Sequence, residues 1–391
     1  MTFVLALMTA MGPISTDLYV PSLVDLVADL KTTPTMAQWT MSAYLLGFAV
    51  GQLFYGPISD KFGRKPVLLV GFAIFLTGAA LACVATSIDM LIAARAIQGL
   101  GGACPQILAR AMVRDLHDGH AAGRQLALMS TIMGVAPVVS PLAGGAIAIW
   151  FGWRASFIVM LAVVSALALI SAILLPETLR EKTSGALSLR GMLASFAIVG
   201  RNRIWLSYAT MTACCHTGLM TFVSTSPYFL KQFYNLDPFR FGMAFSVCSI
   251  AFVTGAAISS RIVSRLGLDG TLVIGVRALA AAGVLQALAL VFAGEHVAAI
   301  IVPELLFFFG VGLTLPNSVA AALSPFPERA GAASSLGGFF QMLLSSIIGL
   351  AVVASLGATA WPLVLVTLGS GLVALLSFEL SRGMRAKTAK V

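Results

Sequence analysis

The chain has 391 residues, of which 59% are hydrophobic and only 10% charged, with a net charge of +9 and a mean hydropathy of +0.97. Soluble domains run nearer a quarter charged, so this composition excludes ordinary globular folding. The 37 glycines and 16 prolines are scattered and not in runs, which excludes collagen-like and low-complexity chains, and the length leaves no room for an appended nucleotide-hydrolysing module.

Apolar runs of about 20 residues, the length a helix needs to cross a bilayer, fall at 3–24, 39–58, 66–86, 88–110, 125–149, 154–175, 204–230, 241–261, 268–293, 297–320, 331–355 and 358–380. Lipid offers backbone groups no partner outside the segment, and the alternation of a membrane barrel is absent, so these runs predict helices. The expected fold is an all-α membrane protein of twelve transmembrane helices. With both termini on one side, 18 of the 24 Lys and Arg residues gather there, 4 lie opposite, and Arg95 and Arg277 fall inside spans. Basic residues stay cytoplasmic, so both termini are expected in the cytoplasm, and topology explains the positive charge better than nucleic-acid binding does. Met1 leads straight into apolar residues, which suggests a short cytoplasmic segment ahead of it. A cleaved signal peptide is disfavoured by the missing positive flank and by Pro13 and Asp17.

The basic connection 176–203 divides the chain into a half at 1–175 and a half at 204–381, with a basic tail at 382–391. A shift of 204 lays Gly51 on Gly255, Lys61 on Arg265 and Gly63 on Gly267. A shift of 211 lays Gly99, Gly101 and Pro105 on Gly310, Gly312 and Pro316. Duplicated six-span halves are a transporter design, with the substrate near the midplane and alternating access by rocking of the halves.

In chain order, span one carries Thr16-Asp17-Leu18-Tyr19-Val20-Pro21. A carboxylate there is costly to bury, and it can take and release a proton as a cavity alternates between sides. A helix-end or interfacial aspartate is the competing reading, since Pro21, Asp25 and Asp29 mark water nearby. Tyr19, Tyr44, Gln52 and Gln98 are candidates to line a cavity. After span two comes Gly56-Pro57-Ile58-Ser59-Asp60-Lys61-Phe62-Gly63-Arg64-Lys65, which predicts a tight turn at Gly63 with charges meeting helix dipoles. Arg95 in span four costs about 2.5–3.5 kcal/mol unless it finds a partner or water. Snorkelling to the nearer surface is the alternative.

His117-Asp118-Gly119-His120 lacks i, i+4 spacing and a third ligand, so it reads as a solvated loop and no metal is expected. Gly134, Pro137, Pro141, Gly144 and Gly145 in span five allow close helix approach and bend the helix. His216 and Tyr228 in span seven, Asn317 in span ten and Gln341 in span eleven are further cavity candidates, and Arg277 is expected either to pair with an acid or to reach the interface. Glu304, after Pro303, is a further candidate for proton coupling, with structural pairing as the alternative. The 24 Phe and 16 Met suit an apolar cavity. All five cysteines fall inside spans as packing residues, and no disulfide is expected. Neither a phosphate-binding loop nor a nucleophile-and-base arrangement is present, so the chain reads as no enzyme.

The Gly56–Lys65 run resembles the signature of the major facilitator superfamily, and Arg95-x-x-Gln98-Gly99 resembles its Arg-x-x-Gln-Gly motif. The span-five run resembles the motif of the superfamily's antiporter branch. With the span-one motif and Val113-Arg114-Asp115-Leu116, the chain resembles the bicyclomycin and chloramphenicol resistance exporters, which are twelve-span drug:proton antiporters of bacterial inner membranes. These specific motifs all precede residue 180. The resemblance implies that Gly56, Asp60, Gly63, Arg64 and Lys65 form a cytoplasmic gate, asymmetric because Ser264 falls where Asp60 would repeat. It implies that Gly134, Pro137, Pro141, Gly144 and Gly145 seal the halves of an exporter, and that Asp17 and Arg95 serve proton coupling. A small-molecule substrate, a proton gradient in place of any cofactor, a lipid bilayer, no nucleic acid and a monomeric state follow. The substrate stays open among amphenicols, bicyclomycin, sulfonamides and small metabolites, with proton-linked export of a sugar or peptide as the alternative.

Overall fold

Every regular element among the described residues of the computed structural model (2–117, 119–179, 189–294, 296–355 and 359–388) is a helix. Residues 180–188 of the central connection, 389–391 of the tail and Asp118 of the histidine loop lie outside them. By internal packing the chain forms two units, residues 1–188 with 236–246, and residues 189–235 with 247–391.

The first unit holds α1 (Thr2–Asp17), α2 (Leu23–Asp29), α3 (Pro34–Phe62), α4 (Arg64–Cys83), α5 (Ile88–Leu116), α6 (Gly119–Phe151) and α7 (Trp153–Leu174). Local chemistry sets the starts. Thr33 Oγ1 accepts from Met36 N at 3.2 Å ahead of Pro34, and Ser87 Oγ accepts from Met90 N at 3.3 Å. Each satisfies an amide that the first turn leaves free. The first predicted span departs from a single helix. Pro21 has no N–H to give the Asp17 carbonyl, so α1 ends at Asp17, a 3₁₀ turn covers Val20–Ser22, and α2 follows.

The second unit holds α8 (Leu189–Gly200), α9 (Arg203–Tyr234), α11 (Val297–Leu323), α12 (Ala330–Ser355) and α13 (Trp361–Thr388), with most of α10 (Pro238–Ala293). Gly267 breaks α10 at φ 70°, a left-handed conformation that favours glycine. Its repeat mate Gly63 separates α3 from α4 at φ 108°. The connection 176–203 is not wholly a loop, because α8 occupies its end. α13 continues through the region expected as a tail, because Arg385 is only 4% exposed and is anchored to its neighbours.

Among the described residues, eight helical segments are long and apolar enough to cross a membrane. α3, α5 and α9 are also long enough, at 29, 29 and 32 residues, but they are less apolar because they carry more polar and charged side chains. In α9 these include Thr212, Thr217, Thr221, Ser224, Thr225 and Ser226, all buried. The described cysteines are all free thiols.

Close approach of α3 and α5 depends on glycine. A Cβ on Gly99 would fall on the Tyr44 backbone, nearer than any real contact. Gly99→Val should therefore overpack the pair by about 1–3 kcal/mol and lower the melting temperature and monodisperse yield in detergent. Gly369→Ala, where a Cβ meets nothing within 4 Å, should leave both unchanged or improved. Equal behaviour of the two variants in a thermal size-exclusion assay would refute the packing argument.

Candidate functional site

Arg95 lies seven residues into α5 and is completely buried, so the snorkelling alternative is ruled out. Its Nη1 donates to the Ser15 carbonyl at 3.2 Å and to Gln98 Oε1 at 2.5 Å. Nε and Nη2 meet no hydrogen-bond partner. The guanidinium is instead stacked among rings, at 4.4 Å from Tyr19, 4.3 Å from Tyr44 and 5.7 Å from Phe157. A desolvated cation gains about 2 kcal/mol or more from such a ring face. Tyr19 is held by Thr40, hydroxyl to hydroxyl at 3.1 Å, and Gln98 by Met160 Sδ at 3.8 Å. The sequence marked Arg95, Gln98, Tyr19 and Tyr44 separately, and the structure brings them together.

Asp17 closes α1 at 3% exposure, which removes the interfacial reading. Its Oδ1 accepts from the neighbouring Thr16 hydroxyl at 2.8 Å, and no basic group lies within ion-pair distance of it among the described residues. Between α1 and α7 lies an open groove of about 260 Å³ lined by Met11, Ser15, Leu18, Met160 and Val164 among others, a lining that does not include Asp17. Gln52 Oε1 is buried without a partner.

The Gly63 turn gathers a second charged cluster. Arg64 pairs with Asp60 at 2.6 Å and with Asp115 at 2.9 Å, and donates to Ser59 Oγ at 2.6 Å. Ser59 donates to the Gly56 carbonyl at 2.8 Å, and Thr178 to Asp115 at 3.0 Å. Glu177 caps α4, accepting from Arg64 N at 2.9 Å and Lys65 N at 3.2 Å. Partial burial pushes the Glu177 carboxyl up, but the amides of Leu179, Arg64 and Lys65 outweigh this and hold it below 4.5. The sequence marked Asp115 only as part of the Val113–Leu116 motif and did not mark Glu177 or Thr178. The available signal was Pro176-Glu177-Thr178, an acid directly after span six in an otherwise basic connection.

In α6 the helix runs through Pro137 and Pro141, with Gly134 a turn earlier. A Cβ on Gly144 would meet the Leu18 backbone, and one on Gly145 the carbonyl of Pro238 at 2.5 Å. Ser246 donates to the Val138 carbonyl at 2.6 Å. The small residues thus seat α6 against α1 and the opening turns of α10, all in the first unit.

In the second unit Glu304 is completely buried, and α11 continues through Pro303, so the proline does not expose the carboxylate. Gln286 Nε2 and Thr367 Oγ1 both donate to its Oε1 at 3.0 Å. His216 Nδ1 meets Ser345 Oγ at 2.8 Å, and Asn317 Nδ2 donates to Ser259 Oγ at 2.6 Å. Tyr228 is buried in α9, and Gln341 is half-buried in α12. Arg277 is exposed with no ion pair among the described residues, which favours the interface reading over pairing. Arg385 pairs with Asp269 at 3.2 Å, lies 3.9 Å from the Phe378 ring and bonds Ser381, while Tyr208 donates to Asp269 at 3.3 Å.

A buried cation and a buried carboxylate among helices that fit a bilayer define a multi-pass membrane protein. The Major Facilitator Superfamily model matches residues 5–350. Multidrug resistance protein D of Escherichia coli is 32% identical over 90% of this chain and 87% of its own. A bicyclomycin resistance protein homolog of Haemophilus influenzae is 30% identical over 94% of this chain and 92% of its own. The crystal structure of a D-xylose-proton symporter superposes with a TM-score of 0.77 at 13% identity, covering 96% of this chain and 95% of that one. The chain belongs to the Major Facilitator Superfamily of transporters, in its bicyclomycin/chloramphenicol (Bcr/CflA-type) resistance branch.

Glu177 carries a pH dependence of known sign. Its folded value lies below its unfolded one, so its stabilisation is complete above the unfolded value and is lost as pH falls through the folded one. Thermal melts of wild type and Glu177→Gln should therefore converge at acid pH, once pH has fallen through the folded value, the wild type holding its advantage at neutral pH. Parallel curves across that window would refute the capping role.

Proposed function

We propose that the protein exports small amphipathic drugs of the bicyclomycin or amphenicol kind across the bacterial inner membrane in exchange for protons. The observation that carries this reading is Asp17, buried with only its neighbour's hydroxyl for company, in the same unit as the ring-caged Arg95. A carboxylate without a fixed counter-ion can bind and release a proton without breaking an ion pair. A cation held by π faces, the Ser15 carbonyl and Gln98 Oε1 keeps two nitrogens, Nε and Nη2, for a changing partner.

In this reading the chain crosses the bilayer twelve times with both termini cytoplasmic, and the halves 1–175 and 204–381 alternate access to a cavity. The cluster of Asp60, Arg64, Asp115 and Glu177 latches the cytoplasmic side, while α6, with Gly144 and Gly145 closely seated, serves export. Tyr19, Tyr44, Gln52, Gln98, His216, Tyr228, Asn317 and Gln341 are the cavity candidates. The proton gradient supplies the energy with no cofactor, at about 2.3 kcal/mol per charge per 100 mV, and the monomer suffices. The names of the similar chains, multidrug resistance and bicyclomycin resistance, support the substrate class.

The test is proton movement in inside-out vesicles energised to a pH gradient, with amphenicols, bicyclomycin or a lipophilic cation added singly. Wild type should dissipate the gradient on substrate addition, and Asp17→Asn should not, although it binds the same compounds. Equal responses from both proteins would remove Asp17 from the coupling mechanism.

A further inference from the structure

The hydrogen bonds around Glu304 leave an imbalance. Gln286 on α10 spends both amide hydrogens, one on the Ile300 carbonyl at 3.3 Å and one on Glu304 Oε1 at 3.0 Å. That use fixes the orientation of the amide, since either acceptor would lose its donor if it flipped. Thr367 on α13 also donates to Glu304 Oε1 at 3.0 Å. Two acceptor oxygens then remain buried and unpartnered, Gln286 Oε1 and Glu304 Oε2. They belong to planar groups already joined through their other atoms. Unpaired buried acceptors are costly, and a bare carboxylate in this setting is costlier.

The charged and titratable surroundings offer no other remedy. No Lys, Arg or His forms an ion pair with Glu304 among the described residues. A hydrogen on Glu304 Oε2 turns that orphan acceptor into a donor, and the orphan Gln286 Oε1, on the amide already bonded to Glu304, is the acceptor it would serve. Oε1, which receives two donors, is then the carbonyl oxygen of that acid.

We infer that Glu304 and Gln286 form a proton-binding site that holds a resident proton between α10 and α11, distinct from the proton exchanged at Asp17. The site ties three helices of the second unit together through neutral hydrogen bonds. Its proton stays in place during transport, because no group beside it can accept it while the helices remain packed. The presence of the proton concerns the resting protein without substrate, while its distinction from a transported proton rests on the proton exchange proposed at Asp17.

The infrared spectrum of the purified protein at neutral pH, labelled with isotopic glutamate, reads the site directly. A protonated-carboxyl band that shifts with the label should be present in wild type and in Asp17→Asn, and absent in Glu304→Gln. Glu304→Gln can donate its own amide hydrogen to Gln286, so it should melt within a degree or two of wild type. Gln286→Leu leaves the acid without its partner and should melt several degrees lower. Absence of the glutamate band in wild type would overturn the assignment. So would a melting temperature that rises with sodium in wild type but not in Glu304→Gln, since a metal ion would then join the two oxygens. A loss of proton-coupled transport in a well-folded Glu304→Gln would also overturn it, by making the proton a carried one.

Discussion

A guanidinium buried without a carboxylate is the constraint around which the first unit is built. Water is excluded from Arg95, so its charge must be answered by the protein or the helix would not remain in place. The answer is distributed over α1, α3, α5 and α7. The Ser15 carbonyl and Gln98 take one nitrogen, and the faces of Tyr19, Tyr44 and Phe157 take the rest of the charge. Those rings need α3 and α5 to approach closely, which is why Gly99 lies against the backbone of the residue that supplies one of the rings, Tyr44. Packing and electrostatics here are one requirement rather than two.

Arg64 shows the opposite solution. Two carboxylates and a hydroxyl hold it, and its own amide is capped by a third acid. With fixed partners at short distance, Arg64 is released only if several bonds break together. The second unit builds its counterpart differently. Ser264 occupies the position where Asp60 would repeat, and its hydroxyl turns back to the Arg261 carbonyl at 2.9 Å. The anchoring is transferred to Asp269, which lies two residues beyond the Gly267 break and receives Arg385 from the last helix. The duplicated turn keeps its backbone and changes its charges.

What the sequence made legible follows from how local the physics is. Gly63 and Gly267 were readable because a positive φ leaves glycine at a fixed place between apolar runs. The apolar runs themselves were readable because lipid demands them. Arg95 stood out because charge is rare in such a run. Its third ring did not, because Phe157 is one of 24 phenylalanines and nothing local distinguishes it. Glu177 was missed because it lies 113 residues from the amide it caps. Arg385 was read as tail because its partners Asp269 and Tyr208 are remote in sequence and its own stretch is basic. The break after Asp17 was the converse case, since Pro21 was visible but its effect depends on which carbonyl loses a donor.

The two buried carboxyls differ in what their hydrogen bonds tie down. Asp17 is bonded to the residue before it, so a change in its charge strains no second helix through that bond and leaves α1 free to follow the cavity's demands. Glu304 is bonded across to α10 and α13, so any change in its charge must be carried by three helices at once. A transporter that moves protons needs a site of the first kind. A unit that must keep its shape while another part works needs one of the second. Both arise from the same rule, that a polar group removed from water keeps a partner, and they diverge only in whether the partner is local or remote.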